Sequence, residues 1–193
     1  MAGPTASVLL PAEFTADDRR ALRGWLAEVG RYDDTYQQWW PADPTLLDLP
    51  APLHGSGPFD VWAEPWEGEA AGEAAVLTRH LGHPPVTQLV VAAAVNTADA
   101  HVVLGHLVLA LARRHGRQVD FDGLLPLTGP DHDPAHGDPA QRRDRLRAAA
   151  AAMPGRLIEV PYPTAAGERW AYHVGDAEFL THWLRHRWFR MVT

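Results

Sequence analysis

The sequence predicts an α+β fold, with residues 1–193 as one domain built on a single mixed sheet with helices packed on it. Three observations carry that expectation. Strand-like and helix-like segments alternate without any fixed repeat, and the order closes on two strands and a helix. Residues 86–95 form an almost unbroken apolar run rich in valine, the pattern of a strand buried on both faces. The 193 residues are 46% hydrophobic and 21% charged, which suits one compact core.

The elements follow in order. Residues 6–10 read as a first strand, closed by Pro11. Thr15 followed by Asp17 and Asp18 marks a helix start, because a threonine hydroxyl accepts an orphan N–H and early acids suit the positive helix end. Leu22, Trp25, Leu26 and Val29 give that helix its apolar stripe, and Gly30 reads as its stop. Residues 32–40 are ambiguous in type, although Tyr32, Tyr36, Trp39 and Trp40 fall at i, i+4, i+7 and i+8, an amphipathic helical spacing. Residues 41–58 are proline-rich and read as a long irregular loop. A strand over 59–63 and an alanine-rich helix over 68–81 come next. After the buried strand, Asn96 and Thr97 offer caps for a helix that ends at Gly116. Residues 119–121 read as a short strand, 126–139 as a polar loop, and 140–153 as a helix. Residues 156–162 and 169–174 read as paired strands, and a last helix starts near Asp176 and runs almost to the end.

Composition removes several chemistries. There is no cysteine, hence no disulfide, thiolate metal site or cysteine nucleophile. All 17 basic residues are arginine, so no lysine can form a Schiff base or serve a phosphate loop. Ser7 and Ser56 are the only serines, and Ser56 in His54-Gly55-Ser56-Gly57 lacks the full nucleophile-elbow pattern. The formal charge of −7 is uneven: residues 1–78 carry −9 and residues 79–193 carry +2. An acidic half repels phosphate backbones and attracts basic proteins, so nucleic acid is not the expected partner. The longest apolar stretch, 102–112, is too short to span a bilayer, and no secretory signal is visible, which points to a cytoplasmic protein.

Four constellations could carry function. Asp131, His132, Asp133, His136 and Asp138 offer metal ligands, but on a loop rich in proline and glycine. Glu178, His182 and His186 share one face of the last predicted helix, a second metal candidate without the glutamate that a metalloprotease helix needs. Asp99, His101, His106, Asp120 and Asp122 supply acids and imidazoles but no recognisable acid–base pair. The fourth is acidic and aromatic: Asp33, Asp34, Tyr36, Trp39 and Trp40, with Trp62, Glu64 and Trp66 in the next acidic stretch. Its rings are either core or a binding surface. As a surface, they supply buried area and the acids select a basic partner.

The opening Gly3-Pro4-Thr5-Ala6, the stretch from Leu104-Gly105 to Asp122-Gly123, and Phe179-Leu180, Trp183-Leu184, His186 and Phe189-Arg190-Met191 near the end resemble an uncharacterised family of short actinobacterial proteins. The middle stretch is also similar to segments of immunity proteins from bacterial toxin systems. Neither resemblance carries a catalytic residue. The resulting expectation is a non-enzymatic binding protein of immunity or antitoxin type. It needs no cofactor and occludes a basic toxin through its acidic, aromatic residues. The alternatives are a metal-dependent hydrolase using the His, Asp and Glu clusters, and a structural or small-ligand-binding subunit.

Overall fold

The computed structural model describes residues 3–49, 56–68, 72–125, 138–164, 166–187 and 189–192. Eight strands form one sheet: β1 (Thr5–Leu10), β2 (Gly30–Asp33), β3 (Gln38–Pro41), β4 (Phe59–Pro65), β5 (Thr87–Ala93), β6 (Val119–Asp120), β7 (Leu157–Pro163) and β8 (Arg169–Gly175). Their spatial order is β2-β3-β4-β5-β1-β6-β8-β7. The α+β class holds. Where a mixed sheet was expected, every described ladder is antiparallel, because no strand crosses over to a parallel neighbour. The helices are α1 (Ala16–Val29), α2 (Glu73–Leu81), α3 (Ala98–His115), α4 (Pro139–Ala151) and α5 (Ala177–Trp183).

The two faces of the sheet follow from strand alternation. One carries Val8, Phe59, Val61, Leu89, Val91 and Val119, and packs with residues of α1, α3 and α5 into the main core. α3 is apolar nearly all round, with Val103, Leu104, Leu107, Val108 and Leu111 buried, as a helix at the centre of a core must be. The other face is covered less. Leu77 of α2 packs there on Leu9, Ile158, Val160, Tyr172 and Val174. The helix caps agree with the sequence. Thr15 and Asp18 form a reciprocal capping box, and Thr97 Oγ1 accepts the Ala100 N–H. Gly116 takes the left-handed conformation that ends α3. Among the described residues, no helix is long and apolar enough to cross a membrane.

The structure decides one segment left open, keeps Gly30 as the stop of α1 in an extended form, and shortens the last helix. Residues 30–41 form the β2–β3 hairpin and not a helix. Strand pairing places Trp39 opposite Tyr32 and aims it inward, where it lies against Phe59 and its Nε1 donates to the Leu26 carbonyl at 3.0 Å. Gly30 is extended and belongs to β2. Its lack of a side chain matters because a Cβ there would sit 2.3 Å from Trp39 Nε1. The last helix stops at Trp183, since the following chain turns back onto α3. Trp183 Nε1 donates to the Arg190 carbonyl at 3.2 Å, and the Met191 N–H donates to His101 Nδ1 at 3.2 Å.

Two buried histidines act as neutral acceptors. His101 Nδ1 accepts the Met191 N–H at 3.2 Å, and its Nε2 lies 2.8 Å from Asn96 Oδ1 and 3.2 Å from Arg190 Nε. His173 Nδ1 accepts the Leu125 N–H at 3.0 Å. Burial holds both rings down to about 4, with the Arg190 charge adding to the effect at His101.

Trp39→Ala should cost about 3–5 kcal/mol, by analogy with other buried aromatic deletions, and Trp40→Ala clearly less; urea unfolding of both variants measures the difference. The depressed histidines set a pH slope. The unfolded chain protonates them near 6.5 and the folded chain only near 4, so their contribution to stability is present above 6.5 and lost as pH falls toward 4. Unfolding free energies measured from pH 7 to pH 4 should fall accordingly.

Candidate functional site

The acidic and aromatic residues singled out in the sequence separate into three places. Asp33, Asp34 and Tyr36 belong to the turn of the β2–β3 hairpin. Asp33 Oδ1 accepts the Thr35 N–H, Asp34 pairs with Arg23 at 3.0 Å, and Tyr36 is 70% exposed. Trp39 is core and is withdrawn as a partner contact. Trp40, Trp62 and Glu64 share the less covered sheet face, because residues 60, 62 and 64 of β4 alternate away from the main core and Gln38 pairs with Asp60. Arg31 lies over the Trp40 ring at 4.3 Å.

On that face polar side chains are linked in a row. Trp62 Nε1 donates to Glu64 Oε2 at 2.8 Å, Gln88 Nε2 donates to Glu64 Oε1 at 2.9 Å, and Ser7 Oγ donates to Gln88 Oε1 at 3.2 Å. Ser7 is thereby a link in a hydrogen-bond chain and has no base beside it among these partners. The row leads to a cavity of about 150 Å3, lined by Trp66, Gln88, Glu73, Asp120, Asp122 and Tyr172 among others. The register explains the convergence: Glu64 pairs with Gln88, Gln88 with Leu9, and Ser7 with Asp120, so β4, β5, β1 and β6 each add a side chain to one face.

Glu73 enters from the first turn of α2. It is 1% exposed; Oε2 accepts the Tyr172 hydroxyl at 3.0 Å, and Oε1 has no hydrogen-bond partner among the described residues. A buried carboxylate oxygen without a donor is costly unless something supplies one. Asp120 accepts the Asp122 N–H at 2.9 Å, while burial, and then the nearby charges of Asp122 and Glu73, push its carboxyl up to about 7. Among the described residues, no arginine or histidine lines the cavity. Trp66 was legible as part of an acidic, aromatic stretch. Glu73 was not, because it sat inside an alanine-rich helix. Asp120 and Asp122 were noticed without any sign that β6 would bring them to Glu73.

The candidate on the last helix does not converge. α5 ends before His186, so Glu178, His182 and His186 never form a three-turn stripe; the His186 ring stacks on Trp183 at 5.2 Å. Among the described residues no three His, Asp or Glu side chains gather as metal ligands do. Residues 131–136 and His54-Gly55 lie outside the described residues. A larger groove of about 900 Å3 runs between α3, the turn at Leu46–Leu47 and α5. Of the three arginines that line it, Arg113, Arg114 and Arg185, Arg113 donates to Thr181 and Arg114 lies over Trp25.

A raised carboxyl destabilises the fold at high pH. The folded chain holds the Asp120 proton up to about 7 and the unfolded chain only to about 3.8, so stability falls as pH rises between those values and stays reduced above. This opposes the two buried histidines with one proton against two. Asp120→Asn keeps an oxygen for the Asp122 N–H and removes the charge. It should raise the melting temperature at pH 8 and change it little at pH 4, by thermal unfolding at both.

Comparison with curated proteins and with solved structures gave no match. A family model does match, across residues 2–193, and on that coverage the chain belongs to the family of unknown function DUF6368.

Proposed function

We propose that this protein is a non-enzymatic binding protein that receives a basic protein partner on the open, acidic and aromatic part of its sheet. One observation carries the reading: Trp62, Glu64 and Trp66 stand beside a cavity walled by Glu73, Asp120 and Asp122 and, among the described residues, by no cationic side chain. Tryptophan supplies contact area at low entropy cost, and grouped carboxylates select a positive partner and speed its approach. The charge of −9 over residues 1–78 acts in the same direction at longer range. Asp33, Asp34 and Tyr36 at the hairpin turn extend the contact, with Trp40 under Arg31 at its border. Such a molecule suits an immunity or antitoxin role, in which occlusion of a basic toxin is the whole activity and no cofactor is needed. A chain without cysteine is at home in the reducing cytoplasm, where this reading places it.

The test is binding to products of genes adjacent to its own, measured by calorimetry at several salt concentrations. A complex should form, weaken with salt, and lose about 30-fold in affinity on Trp62→Ala, as expected for an aromatic anchor worth roughly 2 kcal/mol. Glu64→Gln, which keeps the shape and one of the two acceptor oxygens, removes the charge and should flatten the salt dependence. Failure to bind any of these products, or binding indifferent to both variants, defeats the proposal.

A further inference from the structure

The cavity beside the tryptophans has a more specific chemistry than its surroundings. Its walls carry the carboxylates of Glu73, Asp120 and Asp122 and the rings of Trp66, Tyr162 and Tyr172. Acidic residues alone would only mark a negative patch. Glu73 is different in kind: it is almost wholly buried, anchored through Oε2 by Tyr172, and its Oε1 is a buried acceptor with no donor among the described residues. The arrangement calls for a guest that brings N–H donors and positive charge. A bare metal ion is the poorer guest, since no three ligands converge among the described residues and three of the named walls are aromatic. The volume of about 150 Å3 equals about five water molecules at roughly 30 Å3 each, room for a planar cationic head group.

We propose that this cavity is a guanidinium-binding site, filled by an arginine side chain of the bound partner. A guanidinium presents five donors in a plane, pairs with carboxylates and stacks on aromatic rings, which matches the three kinds of wall present. Glu73 Oε1 accepts one N–H, Asp120 and Asp122 neutralise the charge, and the rings cover its faces. The proposal rests on the reading of this sheet face as a binding surface, and names the group that enters it.

The experiment titrates the purified chain with arginine capped at both ends, using capped citrulline, capped lysine and free agmatine as companions. Amide chemical shifts report the site. Capped arginine should bind saturably, shift the amides of residues 66–68, 72–73 and 120–123, and bind at least about tenfold tighter than citrulline, which has the same shape without the charge. Glu73→Gln should lower arginine affinity by about tenfold or more. Should that variant fail to fold, Asp120→Asn serves in its place and should weaken arginine binding in the same direction. Agmatine binding in the absence of capped-arginine binding would keep the guanidinium site and assign it to a free ligand in place of a partner's side chain. Equal affinity for citrulline or lysine, shifts elsewhere, or unaltered affinity in both variants would overturn the site. The partner experiment fails separately: a chain that binds capped arginine but no basic protein retains this cavity and loses the partner reading.

Discussion

The pairing of β1 with β5 is the constraint on which the other elements depend. Both strands lie inside the sheet, so each must be apolar toward α3 and compatible with whatever covers the opposite face. Val8, Leu10, Leu89 and Val91 meet the first demand. Toward the opposite face the same strands present Ser7, Leu9, Gln88 and Val90. Leu9 is taken up by the small cluster beneath α2, whereas Ser7 and Gln88 are satisfied by each other and by Glu64. Polar side chains on a partly covered sheet face are tolerated when hydrogen-bonded, and Ser7 and half-buried Gln88 are linked in a row that ends at Trp62.

That arrangement explains why the cavity lies where it does. One helix, α2, shields the region between β1 and β7 on that face, and its first turn delivers Glu73 to the boundary between covered and less covered sheet. At such a boundary a carboxylate is desolvated by the helix and sheet on one side and reachable from the other. Tyr172 holds Glu73 in place, and the Asp122 backbone holds Asp120. The same desolvation pushes the Asp120 carboxyl up to about 7, as burial without a cation must. The stability lost to these groups is offset by the main core and retained at a place open to a guest, which is the usual relation between local strain and binding.

The buried histidines belong to the opposite economy of the fold, where polarity is spent on closure. His101 ties the last residues to α3 through Met191, and His173 ties the chain after β6 to β8 through Leu125. Both accept from backbone N–H groups, so protonation would break a bond as well as bury a charge. Their role is structural, and it accounts for His101, which the sequence had grouped with acids and a second imidazole without a recognisable acid–base pair.

Much of the framework was legible in the residues themselves. Thr15 with Asp18, Thr97 and Gly116 are local signals, decided within one helical turn, and they hold. The apolar run of β5 and the two strands before α5 follow from patterning over a few residues. The aromatic segment 32–40 stayed open because its spacing satisfies a helix while its two strands satisfy each other across a turn, and pairing is a non-local choice. The end of α5 was likewise set by Arg190 and Met191 returning to Trp183 and α3, contacts that no helix propensity encodes. Sequence therefore determined the element types, the acidic bias and the chemistries excluded by missing cysteine and lysine. Only the tertiary structure decided that Trp39 lies inside and that Glu73, Asp120 and Tyr172, far apart along the chain, share one cavity, because strand order and register are properties of the whole sheet.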